Sequence, residues 1–346
     1  MSPSTLRQDD GPQIFDIRQS CNSLDLKEDI ITGLQSKPPT LPSLLLWNDR
    51  GQMLFDQFSQ TPSYYPFHSE IEVLNQYGSH IGGCIPTDGV LLELGCGAIR
   101  KTKSILSGFR VQQKPVHYFA LDVSREGLQA SLVELRKLFK DCPFIRVTGL
   151  LGTYDDCVSW LADLKDSRGN GSITILWLGN SIANMDSQEQ AGAFLERFGT
   201  ACQHARLACR FVVSTDICQK DDKVLEAYDV ERPEYRDFLL NAAKAANMAL
   251  GFDAFSIEDW HPDSWLDKYE RSFHFYLKAR RNLLIPLGPK TTDQGTVKVH
   301  QGQRVRLVTS GKWSEESMTD ICGLAGFSIR QRWKDATGDY CECHKL

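Results

Sequence analysis

An apolar run that ends in an acid, a turn of small residues, and a second apolar run ending in an acid leave a chain few ways to fold. Leu91-Leu92-Glu93-Leu94-Gly95-Cys96-Gly97-Ala98 supplies the first run and the turn, and Ala120-Leu121-Asp122 ends the second. Glycines in such a turn let the backbone approach a ligand closely, because no Cβ intervenes. Asp122, at the end of the second strand, is placed to accept both hydroxyls of a ribose. A dinucleotide loop wants a third glycine near position 100, and this chain has Arg100 there. With Glu93 just before the loop and that glycine missing, the pattern points to S-adenosylmethionine (SAM) rather than NAD. A β-turn-α without ligand is the plain alternative, and Asp122 in register weighs against it.

The strand–helix rhythm continues on both sides. Strands are expected at 89–94, 116–122, 144–149, 172–178 and 207–214, with helices from 101, at 155–164 and up to about 204. Leu128, Leu132, Leu135 and Phe139 recur at helical spacing behind Ser124 as N-cap. Asp186 with Glu189 is expected to cap the helix that ends near 204. The run 172–178 is the most hydrophobic, which places it centrally in a parallel sheet buried on both faces. Successive βα units make a doubly wound sheet.

The two ends break that rhythm. Residues 16–88 are mainly helical in pattern. Helices are expected at 224–229 and 234–249, then long strand-like runs at 269–280 and 296–310. The last residues read as strand, turn, strand: 327–333, Asp335-Ala336-Thr337-Gly338-Asp339, and 340–346. A terminal antiparallel hairpin closing a parallel sheet is similar to the common SAM-methyltransferase (Rossmann-like) fold. The expected fold is therefore α/β, with a cofactor domain of 71–215 and 311–346. A second, α+β substrate-binding domain of 16–70 and 216–310 would cover its open edge. Residues 1–15 fall outside both and are expected to be a disordered N-terminus, the polar stretch 1–12 above all.

Composition narrows the partners. The chain has 346 residues, 41 % hydrophobic, with a net charge of −5, which argues against nucleic acid or an anionic membrane. The opening Met1-Ser2-Pro3-Ser4-Thr5 lacks the character of a signal peptide, and apolar stretches fall short of the roughly 20 residues of a membrane span. A cytoplasmic location is expected. The 11 cysteines are scattered and read as reduced thiols. Cys341-Glu342-Cys343-His344 lacks zinc-ligand spacing, so no metal is expected. Asn170-Gly171-Ser172 fits a glycosylation acceptor only by chance.

Three segments carry a family resemblance: Leu54-Phe55-Asp56-Gln57-Phe58 with Thr61-Pro62-Ser63-Tyr64-Tyr65-Pro66; Glu93 through Thr102; and Leu178-Gly179-Asn180-Ser181-Ile182-Ala183-Asn184. In order and spacing they resemble the ergothioneine-pathway histidine Nα-methyltransferases and their fungal relatives, the 4-dimethylallyltryptophan N-methyltransferases of ergot alkaloid synthesis. The resemblance runs from about residue 14 to near the end, and Ile14-Phe15-Asp16-Ile17-Arg18 is similar to the start of the fungal members.

That resemblance implies roles. Tyr64 would lie against the SAM carboxylate end, Gly95, Gly97 and Lys101 would line the cofactor loop, and Asp122 would hold the ribose. Thr153 and Tyr154 would flank the adenine. Asn184 and Tyr228 match the pair that binds the substrate's α-carboxylate, and Ser310 matches a substrate-side serine. Tyr65 reads as an ordinary half-buried aromatic, and Asn184 could instead cap a helix.

Departures from the family pattern speak to the substrate. Histidine-specific members place a glutamate two residues before that serine; this chain has Val308. Without a carboxylate for the imidazole, the wall is apolar and suits a larger ring. Phe275 replaces a methionine of the histidine-specific members. Trp47 aligns with a tyrosine that contacts the methylated amine in trimethylating enzymes, which mildly favours monomethylation. The reading is Nα-methylation of tryptophan or 4-dimethylallyltryptophan, from SAM to S-adenosylhomocysteine, with Tyr228, Asn184 and Trp47 at the reacting amine. Histidine as substrate and a non-catalytic SAM-fold binding subunit are the alternatives. The partner is a small amino acid, and monomer and homodimer stay open.

Overall fold

The computed structural model describes residues 12–19, 26–87, 89–164, 171–289 and 295–345. Thirteen strands among them are β1 (Ile14–Asp16), β2 (Val90–Leu94), β3 (Val116–Asp122), β4 (Ile145–Leu151), β5 (Ser172–Trp177), β6 (Ala208–Asp216), β7 (Trp260–Asp267), β8 (Ser272–Ala279), β9 (Leu283–Pro286), β10 (Thr296–Val299), β11 (Arg304–Gly311), β12 (Ile329–Lys334) and β13 (Tyr340–Lys345). The helices are α1 (Lys27–Gln35), α2 (Asp49–Ser59), α3 (Tyr65–Cys84), α4 (Thr102–Val111), α5 (Arg125–Leu138), α6 (Tyr154–Asp163), α7 (Gln188–His204), α8 (Asp221–Ala227), α9 (Pro233–Leu250) and α10 (Glu315–Leu324). None is long and apolar enough to cross a membrane among the described residues.

One eight-stranded sheet has the order β1-β4-β3-β2-β5-β6-β13-β12. β1, β4, β3, β2 and β5 pair in parallel, and β12 pairs antiparallel with β13. The order reverses between β2 and β5, the switch point at whose strand ends α/β sheets bind ligands. The expected doubly wound sheet with its antiparallel hairpin is the observed topology.

Two compact units divide the chain: residues 1–19, 74–178 and 198–212 in the first, and 20–73, 179–197 and 213–346 in the second. The C-terminal hairpin and 179–197 thus group with the helical and antiparallel segments, unlike the expected cofactor domain of 71–215 plus 311–346.

In the first unit the core is aliphatic. Leu91, Leu92 and Leu94 of β2 and Ile173, Ile175, Leu176 and Trp177 of β5 are fully buried, as parallel strands covered on both faces require. α5 starts at the expected cap, with the Ser124 side chain accepting from the Gly127 N–H. β1 is a strand that the expected disorder at 1–15 did not contain; residues 1–11 lie outside the described residues, as does Asn170.

In the second unit α9 begins with Pro233 at its first turn and stops at Gly251 in the left-handed region, the usual asymmetry of helix ends. Its buried face carries Tyr235, Phe238, Leu239, Ala242, Ala243 and Ala246, at the spacing of one helical stripe. β7, β8 and β11 form a three-stranded antiparallel sheet, and β9 pairs with β10. Three expectations are corrected here. The run 296–310 is two strands, because Gly302 turns the chain at φ 80°. β7 and α10 were not expected. The cap of α7 is Ser187, whose side chain accepts from the Gln190 N–H, not Asp186.

Candidate active site

In the first unit the loop after β2 is shaped for close approach. Gly95 and Gly97 have φ of 67° and 46°, a region open to glycine and strained for most residues. The Cys96 N–H donates to the Leu121 carbonyl at 3.0 Å and the Gly97 N–H to Asp122 Oδ2 at 3.1 Å, which ties the loop to the end of β3. The other Asp122 oxygen accepts from the Ser124 N–H at 3.0 Å. A carboxylate offers about four acceptor sites, so holding the loop and holding a ribose are compatible. Behind the loop, Glu93 is 1 % exposed and accepts from Thr102 at 2.7 Å and Tyr118 at 2.6 Å. Lys101 is the half-buried N-cap residue of α4.

Tyr154 opens α6 beside this loop. A Cβ at Gly95 would meet its hydroxyl at 3.1 Å, and its ring stands edge-on to Trp177 at 5.9 Å. Burial pushes its phenol up to about 12, so it stays protonated. Thr153 has a local duty: its side chain and Asp156 form a capping box at the head of α6. That explains a threonine here without a ligand; its N–H is taken by Asp156 and its carbonyl by the Cys157 N–H, which leaves the methyl for an adenine. Backbone that only glycine adopts readily, a buried carboxylate at the neighbouring strand end and an aromatic beside the loop fit an adenosyl cofactor. Among the described residues no cluster of three or more metal-ligating side chains occurs.

The second unit gathers Tyr228 and Ser310, both expected on the substrate side, into a buried polar cluster. Tyr228 ends α8, with its ring 5.3 Å from Tyr64, 5.4 Å from Phe273 and 5.5 Å from Phe275. Burial, then the Asp216 carboxylate, raise the Tyr228 pKa; burial, then Tyr228, raise that of Tyr64. Both hydroxyls therefore remain donors at neutral pH. Tyr64, expected at the cofactor, sits in this unit between Phe58 and Tyr228.

A bulge in β11 sets which residues face the cluster. Val305 pairs with Leu277, but the register shifts between Arg306 and Val308, so Val308 pairs with Phe275 and Ser310 with Phe273. Leu307 is the extra residue. Strict alternation from Val305 would have turned Val308 and Ser310 away from the face of Phe273 and Phe275; the bulge puts them on it. Directly opposed residues share a face and touch. Trp47 packs edge-on to Phe55 at 5.1 Å and lies 5.6 Å from Phe238; Phe55 in turn contacts Tyr64. It is one ring removed from Tyr64 rather than against Tyr228.

Asn184 ends the short 3-10 turn Ser181–Asn184. Its half-buried side chain has no hydrogen bond among the described residues, and Ser187 does the capping. The turn is anchored from behind. Glu70 Oε1 accepts from the Gly179 N–H at 2.7 Å and from Ser214 at 2.8 Å, and Asn180 is held in the left-handed region at φ 57°.

Sequence reasoning missed two charged members of the cluster. Lys312 is 0 % exposed, as is Asp216, and they pair at 3.1 Å. Asp216 also accepts from Tyr65 at 2.6 Å, so Tyr65 is a working member of the network and not an ordinary aromatic. Asp216 carried a readable signal: an acid ends the buried strand β6 just as Asp122 ends β3. Lys312 carried none, since a lysine next to a glycine reads as solvated.

Comparison with known proteins adds the following. The family described as histidine-specific methyltransferase, SAM-dependent, matches residues 26–344. The chain is 38 % identical to N-methyltransferase benX of Aspergillus terreus, over 99 % of this chain and 94 % of that protein. It is 28 % identical to 4-dimethylallyltryptophan N-methyltransferase easF of Epichloe festucae var. lolii, over 94 % and 95 %. Ergothioneine biosynthesis protein 1 of Neurospora crassa is 29 % identical over 94 % of this chain and 36 % of its own length.

Proposed function

This chain belongs to the histidine-specific SAM-dependent methyltransferase family and is an N-methyltransferase, and on that premise we propose that it methylates the α-amino group of an aromatic amino acid, tryptophan or 4-dimethylallyltryptophan first. One observation carries the substrate: Val308 pairs with Phe275 on the face that also holds Ser310, and the Phe275 ring lies 5.5 Å from Tyr228. Val308 stands where the histidine-specific members place a glutamate, and Phe275 where they have a methionine. A buried wall without an acid penalises imidazole N–H groups, which lose water and gain no partner. The names of the relatives keep histidine as the second reading.

Asp122, Gly95, Gly97 and Tyr154 are the residues that would hold SAM, with Lys101 and Thr153 beside them. When bound, SAM supplies a methyl group already activated on a sulfonium. The chain's own task is positioning, because an in-line displacement needs the amine lone pair about 3 Å from the carbon and aligned with the breaking bond. Tyr228 and the unpaired amide of Asn184 grip the α-carboxylate, which fixes the nitrogen two bonds from the carboxyl carbon. The α-ammonium must lose a proton before it attacks. Tyr64 and Tyr228, with raised pKa values, act as donors and not as its base.

Mass spectrometry of the purified protein with SAM and, separately, histidine, tryptophan, tyrosine and 4-dimethylallyltryptophan tests this reading and counts the methyls added. Val308→Glu, which restores the family's carboxylate, is expected to lower turnover of tryptophan-type substrates and raise that of histidine. Consumption of histidine alone by the unaltered protein would overturn the proposal.

A further inference from the structure

The buried ammonium of Lys312 has three protons and three acceptors. It donates to the Tyr228 hydroxyl at 2.9 Å and Ser310 Oγ at 2.9 Å, and pairs with Asp216 Oδ2 at 3.1 Å. It also lies 4.4 Å from the Tyr228 ring centroid. Asp216 is fixed in turn by the hydroxyl of Tyr65 and the N–H of Cys218 at 3.1 Å, while its own N–H donates to Asn180 Oδ1 at 2.9 Å. Lys312 therefore has one available position.

Donor counting then gives the cluster a direction. A lysine ammonium only donates, and a hydroxyl carries one proton and two acceptor sites. Ser310 Oγ accepts from Lys312 and from Asn180 Nδ2 at 3.5 Å, so both its acceptor sites are filled and it cannot take the Tyr228 proton. The Tyr228 oxygen accepts from Lys312, and neither Lys312, which has no acceptor, nor Ser310 can receive its proton. Its proton must point away from them, towards Tyr64, whose oxygen is 3.5 Å off at the outer limit of a hydrogen bond. Successive hydrogen bonds polarise one another in a site of low dielectric, so this outward proton is a strong donor in want of a better acceptor.

We propose that Lys312 is a positioning residue that makes the Tyr228 hydroxyl an obligate outward donor, and so makes a carboxylate on the substrate a requirement for binding. The inference rests on the amino-acid reading above. Its cause is hydrogen-bond polarity and not net charge, because Asp216 neutralises Lys312 locally. An amino acid supplies the acceptor oxygen; the corresponding decarboxylated amine, of the same ring and the same nitrogen, does not.

Two variants test this. Lys312→Met removes the donor but leaves Asp216 buried and unpaired, a change that can damage folding. The double variant Lys312→Met with Asp216→Asn removes both charges together. At saturating SAM, the KM of tryptophan, or of the amino acid the substrate screen identifies, is expected to rise by about tenfold or more, the effect of weakening one hydrogen bond to a charged group. The inhibition constant of its decarboxylated amine (tryptamine for tryptophan) should stay within about twofold, since that ligand never used the donor. The KM for SAM should hold in the double variant. A merely structural lysine would weaken amine and amino acid alike, and that outcome, or an unchanged amino-acid KM, overturns the inference while leaving the amino-acid reading standing. An unaltered protein that methylates no α-amino acid overturns both.

Discussion

Tyr228→Phe isolates one hydroxyl. The ring keeps its contacts with Tyr64, Tyr235, Phe273 and Phe275, and Lys312 keeps Ser310 and Asp216 as acceptors, so the cluster should hold its shape. What disappears is one donor to a carboxylate. A hydrogen bond to a charged group contributes about 1.5–3 kcal/mol, and about 1.4 kcal/mol is a factor of ten. The expected loss in kcat/KM for the amino acid is therefore roughly 10- to 150-fold. If the hydroxyl only anchors the substrate, the loss falls on KM; if it also sets the angle of the amine, kcat falls with it. Burial holds the Tyr228 hydroxyl protonated above the ordinary phenol range, so the ratio of variant to parent should not change between pH 6.5 and 9, in about the range where both stay neutral. Initial rates followed by mass spectrometry, with the KM for SAM and a thermal melt as controls, measure this. Unchanged KM and kcat would refute the assignment of Tyr228 to the carboxylate.

Two further outcomes are expected. Gly95→Ala places a Cβ at φ 67° and 3.1 Å from the Tyr154 hydroxyl; calorimetry should show affinity for S-adenosylhomocysteine reduced by about tenfold or more. Gly338→Ala is its control, with similar strain at φ 70° and nothing within 4 Å of the added carbon, and should leave that affinity unchanged; equal losses in both would refute the loop assignment. For pH, burial and then Arg146 lower His117 to about 4 from 6.5. The unfolded chain then binds more protons between those values, so this group's contribution to stability falls as pH drops from 6.5 to 4 and is constant outside that window. His117→Gln should shrink the difference in Tm between pH 7 and pH 5, and an undiminished difference would contradict it.

Local signals account for most of what was legible. The strands around Glu93 and Asp122, the cap at Ser124 and the hairpin turn at 335–339 are each specified by neighbours a few residues apart. The glycine loop belongs with them, because positive φ is written into Gly95 and Gly97 themselves. Errors came where distant pairing or short range competition decided the outcome. β1 is only three residues long and exists because it pairs with β4. Asp186 and Ser187 are both good caps, and only the final geometry of α7 chose between them.

Sequence by itself determined the doubly wound sheet, the glycine loop with an acid at the neighbouring strand end and the apolar character of positions 275 and 308. Tertiary structure alone decided which way those positions face. One extra residue at Leu307 turns Val308 and Ser310 onto the face of Phe275, and strand periodicity cannot announce such an insertion. It also decided that Lys312 is buried beside Asp216, since a charge is sequestered only where chain segments far apart in sequence supply its acceptors.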